Sequence, residues 1–225
     1  AFVDSEAVKL HSSAGANGDL FIDGSTNGAV GGSLSITATT GDITQGLAVG
    51  VTGTSSFTTS ANNADITLSN TSNAFASAVT LSTTGTTAHV VIDNGTTTLD
   101  IAASTVGGDL TLTSGAAAGI TDSGAVSVAG NLVATTDANS GVINMGTLEV
   151  NGTMALTTDG TGDATIVNDD GINFANSTVR GALSATATDG NIIDTGTLTI
   201  TGASTFITRD AGSNIELNSS ANAFA

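Results

Sequence analysis

Proline, cysteine, tryptophan and tyrosine are all missing from this 225-residue chain. Each absence removes a class of explanation. Proline cannot donate to a sheet ladder, so a chain without it is free to pair every strand on both sides. The lack of cysteine leaves no redox signature. Without tryptophan or tyrosine there are no aromatic platforms for a sugar. The core Trp and corner Tyr that mark immunoglobulin-like sandwiches are missing too. Positive charge is nearly absent: Lys9, Arg180 and Arg209 face 20 acidic residues, for a net charge of −17. A surface of that sign repels phosphate backbones and anionic lipid, which argues against nucleic-acid and membrane partners. No apolar run approaches the length of a membrane span and no signal peptide is recognisable; if the chain is exported, its signal is expected outside these residues.

What remains is neutral and apolar. Hydrophobic residues make up 39% of the chain and charged residues only 10%. Disorder pairs low hydrophobicity with high charge, so this composition predicts a folded chain. Its polarity lies in Thr, Ser, Asn and Gly.

Gly32 to Ala76 aligns without a gap onto Gly181 to Ala225, 149 residues later, with 19 of 45 positions identical. The matched positions are bulky apolar residues (Leu34/Leu183, Ile43/Ile192, Phe57/Phe206, Leu68/Leu217, Phe75/Phe224) and turn glycines (Gly41/Gly190, Gly53/Gly202). Half that shift gives a weaker copy: VGGSLSIT at Val30 to Thr37 answers VGGDLTLT at Val106 to Thr113 and VRGALSAT at Val179 to Thr186. The chain thus reads as one continuous body of three units, 1–74, 75–149 and 150–225, cut from a longer periodic protein.

Short alternating runs rich in β-branched residues recur throughout, among them SLSIT, DITLS, HVVID, DLTLT, NLVAT and TLTIT. Asn-Gly, Asp-Gly and Thr-Gly turns separate them. Strands start every seven to eleven residues and no helical period is sustained. The fold expected is all-β: a parallel β-solenoid of about nine coils, three strands and about 25 residues per coil, three coils per unit. Its core stack is expected to contain Leu34, Phe57, Leu68, Phe75, Leu110, Leu183, Phe206, Leu217 and Phe224. The rival fold is a string of β-sandwich domains, whose repeats are longer and carry the aromatic markers missing here.

The pattern G-x-L-x-x-T-x-x-x-G-x-I at Gly32 to Ile43 and Gly181 to Ile192, with V-x-G-x-L at Val128 to Leu132, resembles the repetitive stretches of filamentous-haemagglutinin-like and other giant bacterial surface adhesins. That resemblance implies an extracellular, cell-surface, right-handed β-helical shaft with no catalytic residue.

Site chemistry is sparse. A hydrolase or lyase needs clustered carboxylates with a basic partner, and His11 and His89 read instead as edge-of-strand residues. Calcium is the cofactor to weigh: Asp23, Asp93 and Asn168 are aligned just after apolar strands, with Asp169 and Asp170 beside them, and hard oxygen ligands at turns suit Ca²⁺. The G-G-x-G-x-D nonapeptide of calcium-binding solenoids is absent, which favours Asx turns or a polar ladder, and hence no cofactor. Thr-x-Thr pairs (Thr37/Thr39, Thr111/Thr113, Thr186/Thr188, Thr197/Thr199/Thr201) could order water as ice-binding solenoids do, but their spacing is irregular. N-x-S/T triplets open at Asn70, Asn94, Asn151, Asn176 and Asn218, as chance allows in such a composition. The sequence points to a non-catalytic structural segment of an extracellular filament or adhesin shaft, self-associating end to end into a fibre. A module binding a cell or surface ligand through loops at Ser12 to Gly18 or Asp159 to Gly171 is the alternative.

Overall fold

The computed structural model describes residues 30–225 in full, together with the backbone of the strands Phe2–Asp4, Val8–His11, Leu20–Phe21 and Ala29–Val30. Strands from Leu34–Ala38 to Ala223–Phe224 succeed one another at each step of the chain, and all the strand pairs formed are parallel. Two sheets run the length of the molecule. Sheet A has 12 strands, from Phe2–Asp4 to Ser204–Thr208, and sheet B has 14, from Leu20–Phe21 to Ile215–Glu216 and Ala223–Phe224. A small sheet of three strands, Ala29–Val30, Gly50–Val51 and Ala74–Phe75, closes the third side at one end. The molecule is a β-solenoid of about nine turns, counted along sheet A from Phe2–Asp4 to Ser204–Thr208.

Alternation does the sorting. In Val79–Thr84, Val79, Leu81 and Thr83 point in while Thr80 and Ser82 face out. In Val90–Asp93, Val90 and Ile92 point in. Stacked turn on turn, the inward residues form one apolar column without a break, from Ile36 to Ile200. Each turn between two others has its backbone paired above and below, which is why proline finds no place. The rings of Phe57 and Phe75 meet edge to face across the column at 5.6 Å, and their counterparts in the later copy of the repeat, Phe206 and Phe224, make the same contact at 6.0 Å.

The turns are shorter than the sequence pattern suggests, and uneven. From Leu34 onward the shortest step along sheet A runs from Ala164 to Leu183 and the longest from Ser55 to Val79, and the step before them, from Phe2 to Ile36, is longer still. Sheet A takes seven steps from Leu34–Ala38 to Leu183–Ala187. The full repeat therefore spans seven turns, and its half is three and a half turns rather than three. The consequence is visible in the weaker copies. Leu34–Ala38 lies in sheet A, its counterpart Leu110–Ser114 in sheet B, and Leu183–Ala187 in sheet A again. The same alternation governs where a face divides. In sheet A, Val79–Thr84 is followed by two short strands, Leu99–Ile101 and Ser104–Val106. Half a repeat later Thr153–Thr157 in sheet B is followed by Ile172–Phe174 and Ser177–Val179. The half-repeat match is weak and the full-repeat match strong because only the longer shift returns a sequence to its own face.

Of the expected core residues, Phe57, Leu68, Phe75, Leu110 and Leu183 are enclosed. Leu34, Phe206 and Leu217 are partly buried against the column, and Phe224 is 45% exposed. Phe206, Leu217 and Phe224 sit in the last turn described.

Candidate functional site

The conspicuous polar feature is a line of side chains at the corner that leads into sheet B. Asp42, Asp65, His89, Asp109 and Asn131 each come one residue before a sheet B strand. Each reaches up one turn to accept the backbone N–H of the next member. Asp42 Oδ1 accepts from Asp65 at 2.9 Å, Asp65 Oδ1 from His89 at 2.7 Å, and His89 Nδ1 from Asp109 at 3.0 Å. Asp109 Oδ1 then accepts from Asn131 at 2.7 Å and Asn131 Oδ1 from Thr153 at 2.8 Å. The line stops at Thr153, whose hydroxyl also donates to Asn131 Oδ1 at 2.9 Å, and a like contact recurs where Asn191 accepts from Asn214. These groups satisfy backbone donors that a corner leaves without a sheet partner. His89 serves as one link, with Nδ1 as an acceptor; the side chain of His11 lies outside the described residues.

Three asparagines turn inward. Asn94 and Asn168 have no exposed surface and Asn73 only 2%. Asn94 Oδ1 accepts the Phe75 N–H at 2.7 Å, while Nδ2 contacts the carbonyls of Thr98 (2.8 Å), Phe75 (3.1 Å) and Thr97 (3.2 Å). Asn168, half a repeat on, does the same to Val150 N–H and to the carbonyls of Val150 and Gly171. Asn73 is held by Gln45 and by the Val49 N–H, and its counterpart Asn222 by Asp194 and the Leu198 N–H. Buried threonines close neighbouring corners: the hydroxyls of Thr59, Thr83, Thr136 and Thr158 donate to the carbonyls of Ala64, Ala88, Gly141 and Gly162.

The calcium candidates do not converge. Asp23 lies outside the described residues. Asp93 makes an Asx turn, its Oδ1 accepting the Gly95 N–H at 2.8 Å. Burial pushes its carboxyl up, the Gly95 N–H pulls it down, and Asp137 nearby pushes it up further, for a net rise. Asp169, after a sheet A strand, accepts the Thr188 hydroxyl, and Asp170 is exposed. The alignment of Asp93 with Asn168 is off by one residue. The inward-facing positions show the true match, Val90/Ala164, Ile92/Ile166 and Asn94/Asn168, and a one-residue slip exchanges inside for outside. Among the described residues no three His, Asp or Glu side chains come together as metal ligands.

Two shallow grooves mark the surface. One of about 300 Å³ is lined by Ala125, Gly146, Leu148, Glu149, Asp169 and Thr188, and one of about 390 Å³ by Asn151, Asp170, Gly171, Asn173 and Asn191. The loop at Asp159 begins with one more tight corner, where Gly162 donates to the Asp159 carbonyl and Asp163 accepts the Ala182 N–H. The loop Ser12 to Gly18 lies outside the described residues. The threonines are more regular than their sequence spacing suggests. Thr113, Thr135, Thr157, Thr178 and Thr199 stand side by side on five consecutive turns of the outer face of sheet B. Among the described residues no helix is long and apolar enough to cross a membrane.

Neither a curated protein nor a solved structure matches this chain. A family model does, three times over, at residues 7–82, 87–143 and 161–225, which together span most of its length. On that match the chain belongs to the family described as repeats of unknown function, DUF5649.

Proposed function

We propose that this chain is a non-catalytic structural segment, a length of shaft in an extracellular filament or cell-surface adhesin. The observation that supports this is the continuous parallel pairing of both sheets over a single apolar column. Strand after strand is bonded to both neighbours, so bending or pulling the body must break ladder bonds in register. Polar side chains at the corners are used up in holding backbone, as the Asp42 to Asn131 line and the three inward asparagines illustrate. The strong acidity keeps such a body soluble in salt. No cofactor is invoked, and nucleic acid and membrane are disfavoured as partners by the charge. Small-angle scattering tests the reading: ten strand levels along sheet A predict an elongated particle about 48 Å long. A compact, isotropic particle, or two lobes on a tether, would refute it.

A second reading, a module that adheres to a surface, is favoured by the column of five threonines on sheet B. Equally spaced hydroxyls and methyls on a flat face suit an ordered surface such as ice. Thermal hysteresis abolished by Thr157→Lys would support it, and hysteresis indistinguishable from buffer would end it.

A further inference from the structure

We infer that the groove beside Leu148 receives a lysine or arginine side chain from a partner protein; this goes beyond the shaft reading and is tested apart from it. A slip in sheet A makes the groove. Two short strands, Ile120–Asp122 and Val126–Val128, both pair with the single strand Ile143–Val150. Against the following strand, Met145 pairs with Ile166 and Leu148 with Asn168, so a step of three residues faces a step of two. The extra residue bulges out. Asp122 pins the bulge, accepting from the Gly146 and Thr147 N–H groups and from the Thr147 hydroxyl. A Cβ at Gly146 would meet nothing within 4 Å, so the hollow there is open. Ala125, Leu148 and Val167 give it an apolar wall, and Glu149 and Asp169 are its charged side chains.

Those two carboxylates set this copy of the repeat apart. Asn168 takes the Val150 N–H as Asn94 takes that of Phe75, so Val150 stands where Phe75 does. By the same match Glu149 stands at the place of Ala74, and of Ala223 a full repeat on, while Asp169 stands at that of Gly95. The repeat therefore folds without a carboxylate at either position. Glu149 is exposed, with no hydrogen-bond or ion-pair partner among the described residues. Asp169 commits one oxygen to the Thr188 hydroxyl at 2.8 Å. Arg209 lies two turns on from Asp169 and forms an ion pair with neither. An apolar wall beside two open carboxylates matches one kind of side chain, a long aliphatic stem with a cationic head. A second copy is poorly suited to supply it, since 3 basic residues face 20 acidic ones in this chain and copies repel. A partner with a basic surface is drawn in by that same charge.

Amide NMR spectra of the whole chain, titrated with the blocked pentapeptide Gly-Ser-Lys-Ser-Gly, test this. Saturable shifts are expected at Gly146, Thr147, Glu149 and Asp169, weakening as salt screens the pair. The same peptide with norleucine for lysine keeps the stem, lacks the charge and should shift none of them. Glu149→Ala is expected to weaken binding about fivefold, the effect of losing one exposed ionic contact. Its fold is safe, because Ala74 and Ala223 already occupy the matching places. Asp169→Gly, which installs the residue found at Gly95, is the second variant and should weaken binding similarly. The assignment is overturned by any of four results: no saturable shift, equal shifts with norleucine, shifts spread over unrelated carboxylates such as Asp137 and Asp210, or binding that both substitutions leave unchanged. None of these bears on the shaft, which scattering decides by particle length.

Discussion

Asn94→Ala is the substitution that most directly weighs the inward asparagines. The side chain has no exposed surface and contacts the Phe75 N–H and the carbonyls of Phe75, Thr97 and Thr98. An amide nitrogen has two hydrogens, so about three bonds are made at once, each contributing about 1 kcal/mol net. Removing the acceptor also strands the buried Phe75 N–H, which adds about 1 kcal/mol or more. The expected loss is therefore about 3–4 kcal/mol. In a stack where each turn contacts only its neighbours, the damage stays near the turns that hold Phe75 and Asn94. Amide exchange reads it locally: a loss of about 3 kcal/mol accelerates exchange at Phe75 on the order of a hundredfold. Asn94→Asp should be worse at neutral pH, since a carboxylate then faces carbonyls, and should recover in part on acidification. Asn168→Ala should match Asn94→Ala, because the two sites are half a repeat apart and similarly bonded. An Asn94→Ala chain with wild-type denaturant midpoint and unchanged exchange at Phe75 would refute this account of the corners.

The remaining predictions concern the column, the turns and the carboxylates. Phe57→Ala should cost about 3–5 kcal/mol in denaturant unfolding, and Phe224→Ala less than about 1 kcal/mol, since the same ring is enclosed in one turn and half open in the other. Gly119 has φ of +63° and lies against the Val142 backbone, so Gly119→Ala should lower the melting temperature sharply, whereas Gly146→Ala, in open space, should not. Asp93 has a raised folded pKa, so the stability it contributes is present below the unfolded value and lost as pH rises through the raised one. Asp93→Asn should therefore gain on wild type above that window, seen as a relative rise in melting temperature. Asp194 runs the other way. Desolvation pushes its carboxyl up, but hydrogen bonds from Asn222, Asn218 and Ser219 more than offset this, so the stability it contributes holds above the unfolded value and is lost as pH falls through the depressed folded one. Asp194→Asn should flatten that acid limb.

The sequence carries the strands plainly. Runs such as HVVID and DLTLT alternate with period two, the period of a pleat, and they fold as the parallel strands Val90–Asp93 and Leu110–Ser114. Turn length was not legible, because the corners stretch the step from Ser55 to Val79 and shorten that from Ala164 to Leu183 while the repeat unit holds steady. A repeat unit need not contain a whole number of turns, and here it does not. The polar corners were hidden for a different reason. Asn94 precedes a glycine, and Asn-Gly reads as an exposed turn; only the stacking of Phe75 beneath it shows that the side chain points inward. Asp93 was legible as a carboxylate at a turn, but which of Asp93 and Asn94 faced the column depended on a one-residue register that the sequence alone leaves open.

A unit of three and a half turns has an effect on anything outside the protein that reads it. Successive copies of the motif led by Leu34, Leu110 and Leu183 look out from different sides of the body, about 17 Å apart along its length. A neighbour that grips one copy leaves the next facing away and free to grip a different neighbour.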